Sequence, residues 1–173
     1  LFTSGTTGTS NCVMLSQKNI FAAVSAAIDT VCFSKDDVLV SVLPVHHTYE
    51  LMCLMAELAY GMTTCLNDSL RHVMKNFALF KPTGLILVPM FLNTMYKRIW
   101  SEAERTGKAK MLKAALATSR KLLKVGIDVR KKLFGQVLQG LGGKMKYFVV
   151  GGAALNPQIA EGFANFGIQV RQG

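Results

Sequence analysis

Leu1-Phe2-Thr3-Ser4-Gly5-Thr6-Thr7-Gly8-Thr9-Ser10-Asn11-Cys12 opens the chain, and the rest of the sequence reads outward from it. From Thr3 to Thr9 every side chain is a hydroxyl or is absent. Glycine lets backbone N–H groups approach a ligand closely, and short hydroxyls add donors that rotate onto an oxyanion. Such a loop suits a polyphosphate. Ordinary loops share this composition, so composition alone does not decide the matter. The stretch is not a Walker A loop, because no Lys follows Gly8. The apolar pair Leu1-Phe2 reads as a strand entering the loop, and Val13-Met14-Leu15 as a short strand leaving it.

Beyond the loop, the pattern alternates. Ser16 can cap a helix running to about Val31. The run from Val38 to Leu43 is apolar throughout except Ser41, as a buried parallel strand should be, and stops at Pro44. Thr48 can cap a helix from Tyr49 to Tyr60, ended by Gly61. A strand over Met62–Leu66, a helix over Leu70–Phe80 and a strand over Gly84–Val88 follow. Residues 90 to 139 read as two or three helices punctuated at Thr106-Gly107 and Val125-Gly126, with Trp100, Leu112, Leu116, Leu123 and Leu133 as core. The sheet resumes at Lys146–Val150, then a helix over Pro157–Phe166 and a last strand over Ile168–Arg171. Strand and helix in alternation predict an α/β fold, a mostly parallel sheet flanked by helices, with a helical insert.

Two strand ends carry further chemistry. Leu43-Pro44-Val45-His46-His47-Thr48-Tyr49-Glu50 follows one predicted buried strand, and ligands of open parallel sheets bind at that edge. Adjacent histidines on an extended segment diverge, which argues against a metal pair. Tyr147-Phe148-Val149-Val150-Gly151-Gly152-Ala153-Ala154-Leu155 reads as strand, glycine turn and helix approach. By itself it is a tight turn; its glycines would also admit a flat ligand.

Thr3-Ser4-Gly5-Thr6-Thr7-Gly8 resembles the phosphate-binding signature of the adenylate-forming superfamily, which holds acyl-CoA synthetases, firefly luciferase and peptide-synthetase adenylation domains. The other two stretches resemble that family's Leu-Pro-x-x-His and Gly-Gly-Ala-x-Leu motifs, in the same order and at similar separations. The resemblance implies that Thr3, Ser4, Gly5, Thr6, Thr7 and Gly8 hold the β and γ phosphates of ATP. It implies that Gly151, Gly152, Ala153 and Ala154 line the adenine site. It places His47 and Gly152 at the acyl pocket, and Gly173 at the start of the nucleotide-binding motif that follows in the family. Glu50 and the stretch from Phe148 to Pro157 are similar to the long-chain fatty-acid–CoA ligase branch. ATP, Mg2+ and coenzyme A are the implied cofactors, and a long-chain fatty acid the implied substrate. No catalytic residue and no metal ligand falls within residues 1–173, which read as part of the large N-terminal domain with the C-terminal domain absent.

One departure is plain. Asn11 stands where the family carries a lysine, and a neutral amide replaces a point charge near the phosphates. Two alternatives stay open, and Asn11 bears on the second. One is an adenylating enzyme that uses an acyl carrier protein, or an aromatic or amino acid. The other is a degenerate module that binds nucleotide or acyl group without catalysis.

The bulk properties agree with a globular domain. The 173 residues are 50% apolar, enough to bury a substantial core. No apolar run is long enough to cross a bilayer, and there is no secretory leader pattern. Without an initiator Met, and starting inside a motif, the chain reads as a piece of a longer protein. Cys12, Cys32, Cys53 and Cys65 show no ligand spacing and read as reduced thiols of a cytoplasmic protein. Net charge is +10, and from Lys97 to Lys146 fourteen Lys or Arg face three acids, Glu102, Glu104 and Asp128. That asymmetry suggests an anionic partner such as an anionic membrane surface, or else a solvated helical face; no nucleic-acid signature accompanies it.

Overall fold

Val38–Ser41 (β3), Gly84–Leu87 (β5) and Tyr147–Val150 (β6) form the centre of a five-stranded parallel sheet, flanked by Thr63–Leu66 (β4) and Gln169–Gln172 (β7) in the order β4-β3-β5-β6-β7. The computed structural model describes residues 2–4, 10–31 and 33–172, with side chains from residue 11 onward. Leu1, the loop from Gly5 to Thr9, Cys32 and Gly173 lie outside the described residues.

Alternation along the central strands sorts the core into two layers. Leu39, Ile86, Tyr147 and Val149 face one side and pack with Phe33 and Met62. Val40, Leu85, Leu87, Phe148 and Val150 face the other and pack with Phe77, Leu92, Phe163 and Phe166. Both sides are covered, so the central strands read as unbroken apolar runs rather than alternating ones.

Helix α1 (Gln17–Val31) starts as predicted. The Asn19 N–H donates to Ser16 Oγ, and the Ser16 N–H donates to Asn19 Oδ1, a reciprocal cap. Helix α2 (Thr48–Tyr60) ends at Gly61, whose φ is +75°. Its N-cap is His47 rather than Thr48, and no side chain caps it. Helix α3 (Val73–Phe80) is shorter than its predicted span, because Leu70 to His72 form turns. Pro89, expected to close a strand, instead opens α4 (Pro89–Arg105), where proline's missing N–H has no helical partner to lose. The insert holds three more helices, α5 (Ala109–Lys124), α6 (Arg130–Leu133) and α7 (Gly135–Gly140). Helix α8 (Pro157–Phe166) matches its predicted span, with Asn156 Oδ1 accepting from the Gln158 N–H.

Three expectations fail for identifiable reasons. Ser4 and Thr3 belong to a strand, β1 (Phe2–Ser4), which pairs antiparallel with β2 (Ser10–Cys12), placing Asn11 opposite Thr3. Val13-Met14-Leu15 is not a strand: the pairing ends at Phe2–Cys12, and Met14 is 93% exposed. Leu123 and Leu133 are exposed rather than core, and Trp100, Leu112 and Leu116 are half-buried. Trp100 lies beyond Leu92 and Met95, the residues by which α4 enters the core under the sheet, and the four leucines lie farther out still, on α5 and α6.

Candidate active site

The strands β3, β5 and β6 end side by side at Ser41, Leu87 and Val150. The segments leaving them form the edge where parallel sheets bind ligands. Here the two motif stretches, about a hundred residues apart in sequence, meet through Tyr49. Its hydroxyl donates to the Val149 carbonyl at 3.4 Å, across the end of β5. Its ring lies so close to Gly151 that a Cβ there would stand 2.8 Å from Tyr49 Cζ. Gly151 is buried and its N–H donates to the Leu87 carbonyl at 3.2 Å. Gly152 has a φ of +82°, a conformation that side chains other than glycine's resist. With Ala153 and Ala154 it is exposed at the edge, open to a ligand.

His47 caps the start of α2 and is exposed. Its N–H donates to the Pro44 carbonyl, which holds the turn out of β3. The rings of His46 and His47 stand 6.0 Å apart. Among the described residues, no group of three or more His, Cys, Asp or Glu could hold a metal ion. Thr3 and Ser4 are described only as backbone in β1; Gly5, Thr6, Thr7, Gly8 and Gly173 lie outside the described residues.

Sequence reasoning missed the inner face of α2. Glu50 is 2% exposed and Glu57 3%. Ser41 Oγ donates to Glu50 Oε1, and Thr64 Oγ1 donates to Glu57 Oε2. Glu50 Oε2 is buried with no hydrogen-bond partner. Burial raises the Glu50 carboxyl above the ordinary range, an effect that the Ser41 hydroxyl partly offsets. Burial pushes Glu57 up to about 7 against the opposing Thr64 hydroxyl, and the charge of Glu50 adds to the rise. Cys53, between them, is pushed up to about 12 by burial and then by both acids. The spacing i, i+3, i+7 puts all three on one helical face. That spacing, on a helix whose other inward residues are apolar, was the available signal.

The sign of the resulting pH dependence is fixed. Glu57 binds its proton more tightly folded than unfolded. The stability is therefore fully present below about pH 4.5 and is lost as pH rises through about 7. A loss on the order of 3 kcal/mol is expected across that window. Urea denaturation followed from pH 4.5 to 8 measures it. Glu57→Gln should flatten the profile; an equally steep profile in that variant would locate the titration elsewhere.

Comparison with known proteins agrees with this architecture. The profile of the family described as AMP-binding enzyme matches residues 1–173. Long-chain-fatty-acid–CoA ligase 1 of Homo sapiens is 31% identical over 168 residues, covering 91% of this chain and 24% of that protein. Long-chain-fatty-acid–CoA ligase 6 of Mus musculus is 30% identical over 184 residues, covering 99% and 26%. The chain thus spans about a quarter of the length of these relatives. The adenylation domain of a carboxylate reductase from Mycobacterium chelonae superposes with a TM-score of 0.78 at 22% identity, covering 99% of this chain and 25% of that one. The N-terminal domain of FACL13 from Mycobacterium tuberculosis superposes with a TM-score of 0.70 at 20% identity, covering 99% and 35%. These superpositions establish the shared fold. Matched over its whole length, the chain belongs to the AMP-binding enzyme family.

Proposed function

We propose that these 173 residues are part of the nucleotide-binding N-terminal domain of a longer acid–thiol ligase that activates long-chain fatty acids. In the first step a carboxylate oxygen attacks the α phosphorus of ATP, and pyrophosphate leaves. In the second the thiol of coenzyme A, losing its proton, attacks the acyl carbon, and AMP leaves. The repulsion between a carboxylate and a triphosphate has to be neutralised as charge develops. On this reading Thr3 to Gly8 donate to the β and γ phosphates, and Gly151 to Ala154 receive the adenine. His47 orients the acyl group, with Gly152 at the floor of its pocket. Magnesium, when bound, supplies further neutralisation through residues outside the segment.

The observation that carries the reading is the meeting of Tyr49 with Gly151, which joins both motif stretches at one sheet edge. Long-chain specificity is supported by relatives at 28–31% identity that bear that name. A cytoplasmic location with peripheral contact to anionic membrane is part of the proposal. It is supported by the basic insert, where Arg105 and Arg130 are paired locally with Glu102 and Asp128 while most lysines remain solvated. Asn11 supports a second reading, a binding module without catalysis.

ATP–pyrophosphate exchange by the full-length protein distinguishes these readings, with fatty acids of several lengths run beside benzoate and amino acids. Exchange dependent on a long fatty acid is expected, and product analysis with coenzyme A then separates thiol from carrier-protein transfer. Folded protein with no exchange for any acid would favour the binding module. The 173 residues alone are expected not to turn over; acyl adenylate formed by them would refute that.

A further inference from the structure

A second cavity lies away from the sheet edge. It measures about 1140 Å³ and forms an open trough bordered by α4, α5, α6 and α7, with Met74 of α3 at one side. Ligand pockets run to roughly 300–1,000 Å³, so it stands just above the upper end of that range, with room for a long ligand. Its walls are apolar: Met95, Ile99, Met111, Leu112, Phe134 and Leu141 all line it. Met111 is 62% exposed, on a surface where single-chain tails can be accommodated by flexible thioethers.

The mouth is basic. Arg98, Lys108 and Lys132 stand at it with a single acid, Glu102. That acid is already engaged: Arg105 donates to both its oxygens, at 2.9 and 2.6 Å. Lys108 Nζ donates to the neutral Gln136 Oε1, at 3.1 Å. Lys132 has no ion pair among the described residues. Arg98 and Lys108 both act on the Glu102 charge, yet with Lys132 they leave three cations against one acid that Arg105 already engages, so the mouth keeps a positive excess.

The position separates this cavity from the Gly151 edge. Helix α4 leaves that edge at Pro89, and at about 1.5 Å per residue Arg98 lies roughly 14 Å along it and Glu102 roughly 20 Å. Helix α7 closes the far side and leads into the opposite, amino end of β6.

We propose that this cavity is an accessory binding site for a single-chain amphiphile with an anionic head. The tail lies along Ile99, Met111 and Phe134, and the head meets Arg98, Lys108 and Lys132. The free fatty carboxylate and its coenzyme A thioester share this chemistry. The inference stands independently of the activity proposed above.

The test titrates cis-parinaric acid into the full-length protein and follows its fluorescence. Ala103→Trp and Ala115→Trp each place an indole in the trough. Each should weaken one class of sites by roughly tenfold or more. The double charge reversal Arg98→Glu with Lys132→Glu, on exposed side chains, should weaken the acid by about tenfold while leaving the neutral methyl ester of the probe unaffected. Displacement by palmitate identifies the free acid as the occupant, and displacement only by palmitoyl-CoA identifies the thioester. Unchanged probe binding in folded variants, or displacement by neither competitor, overturns the proposal. So does a Met111→Cys thiol that resists maleimide in the ligand-free full-length protein, because another segment of the chain then covers the trough.

Discussion

Replacing Gly151 with valine is expected to abolish adenylation by the full-length protein and to destabilise it. A Cβ at this position stands 2.8 Å from Tyr49 Cζ and 2.9 Å from Cε2 and Oη. Real Cβ atoms do not approach so closely, so one partner must move. The tyrosine ring is not free to do so, because its hydroxyl is tied to the Val149 carbonyl. Displacing it would carry the first turn of α2, and with it His47, away from the strand ends. Overpacking of this kind costs about 1–3 kcal/mol. The functional loss should exceed what that destabilisation explains, because both motif stretches shift together. Tyr49→Ala relieves the clash, so the double variant with Gly151→Val should be more stable than the sum of the single losses predicts. Urea denaturation and pyrophosphate exchange on the same four proteins measure both effects. Parental stability and exchange in Gly151→Val would show that this packing does not position the site.

Asp37→Ala is expected to cost about 3–5 kcal/mol, the range for breaking a buried charged network. Asp37 is 2% exposed at the amino end of β3, opposite the ligand edge. Its carboxylate accepts from Thr83 Oγ1 at 2.7 Å, the Tyr147 hydroxyl at 2.9 Å and the Ser34 N–H at 3.0 Å, with Lys146 Nζ at 3.3 Å. One side chain therefore ties three strand starts together. Burial opposes its charge, but the hydrogen bonds, that of Thr83 first, outweigh it and hold the carboxyl below its ordinary value. The stability it contributes is thus present above about pH 3.8 and is lost as pH falls further. Removing it leaves the Tyr147 hydroxyl without its acceptor and the Thr83 hydroxyl with only the longer contact to the Val38 carbonyl at 3.4 Å, and unmade buried bonds are the expensive ones. Asp36, its exposed neighbour, is the control: Asp36→Ala should change stability by no more than about 0.5 kcal/mol. Equal costs at the two positions would remove the argument.

The same pair shows where sequence reading stops. Asp36 and Asp37 were indistinguishable in a polar connecting loop, because neither periodicity nor motif separates a solvated acid from one that partners Tyr147, 110 residues on. Tyr49 likewise read as an unremarkable helical residue. Its role depends on strand order, which sets α2 beyond β3 and swings its ring across β5 to β6. Outer-layer leucines at 123 and 133 carried the same apolar signal as buried ones, because hydrophobicity reports what can be buried and not what is.

The sequence by itself determined the parallel α/β class, most of the element order, the helix stop at Gly61 and the span of the helix from Pro157 to Phe166. It also determined which strand ends carry the motif residues. These are local properties: a run of apolar residues too continuous for a one-sided strand, a capping Ser16, a proline or glycine where a helix begins or ends. Only the tertiary structure decided that Tyr49 meets Gly151, that Glu50 and Glu57 are buried acids, and that a basic-mouthed apolar cavity opens among the insert helices. Each of these depends on contacts between residues far apart in the chain, and such contacts are set by strand order and helix packing, which no local pattern encodes.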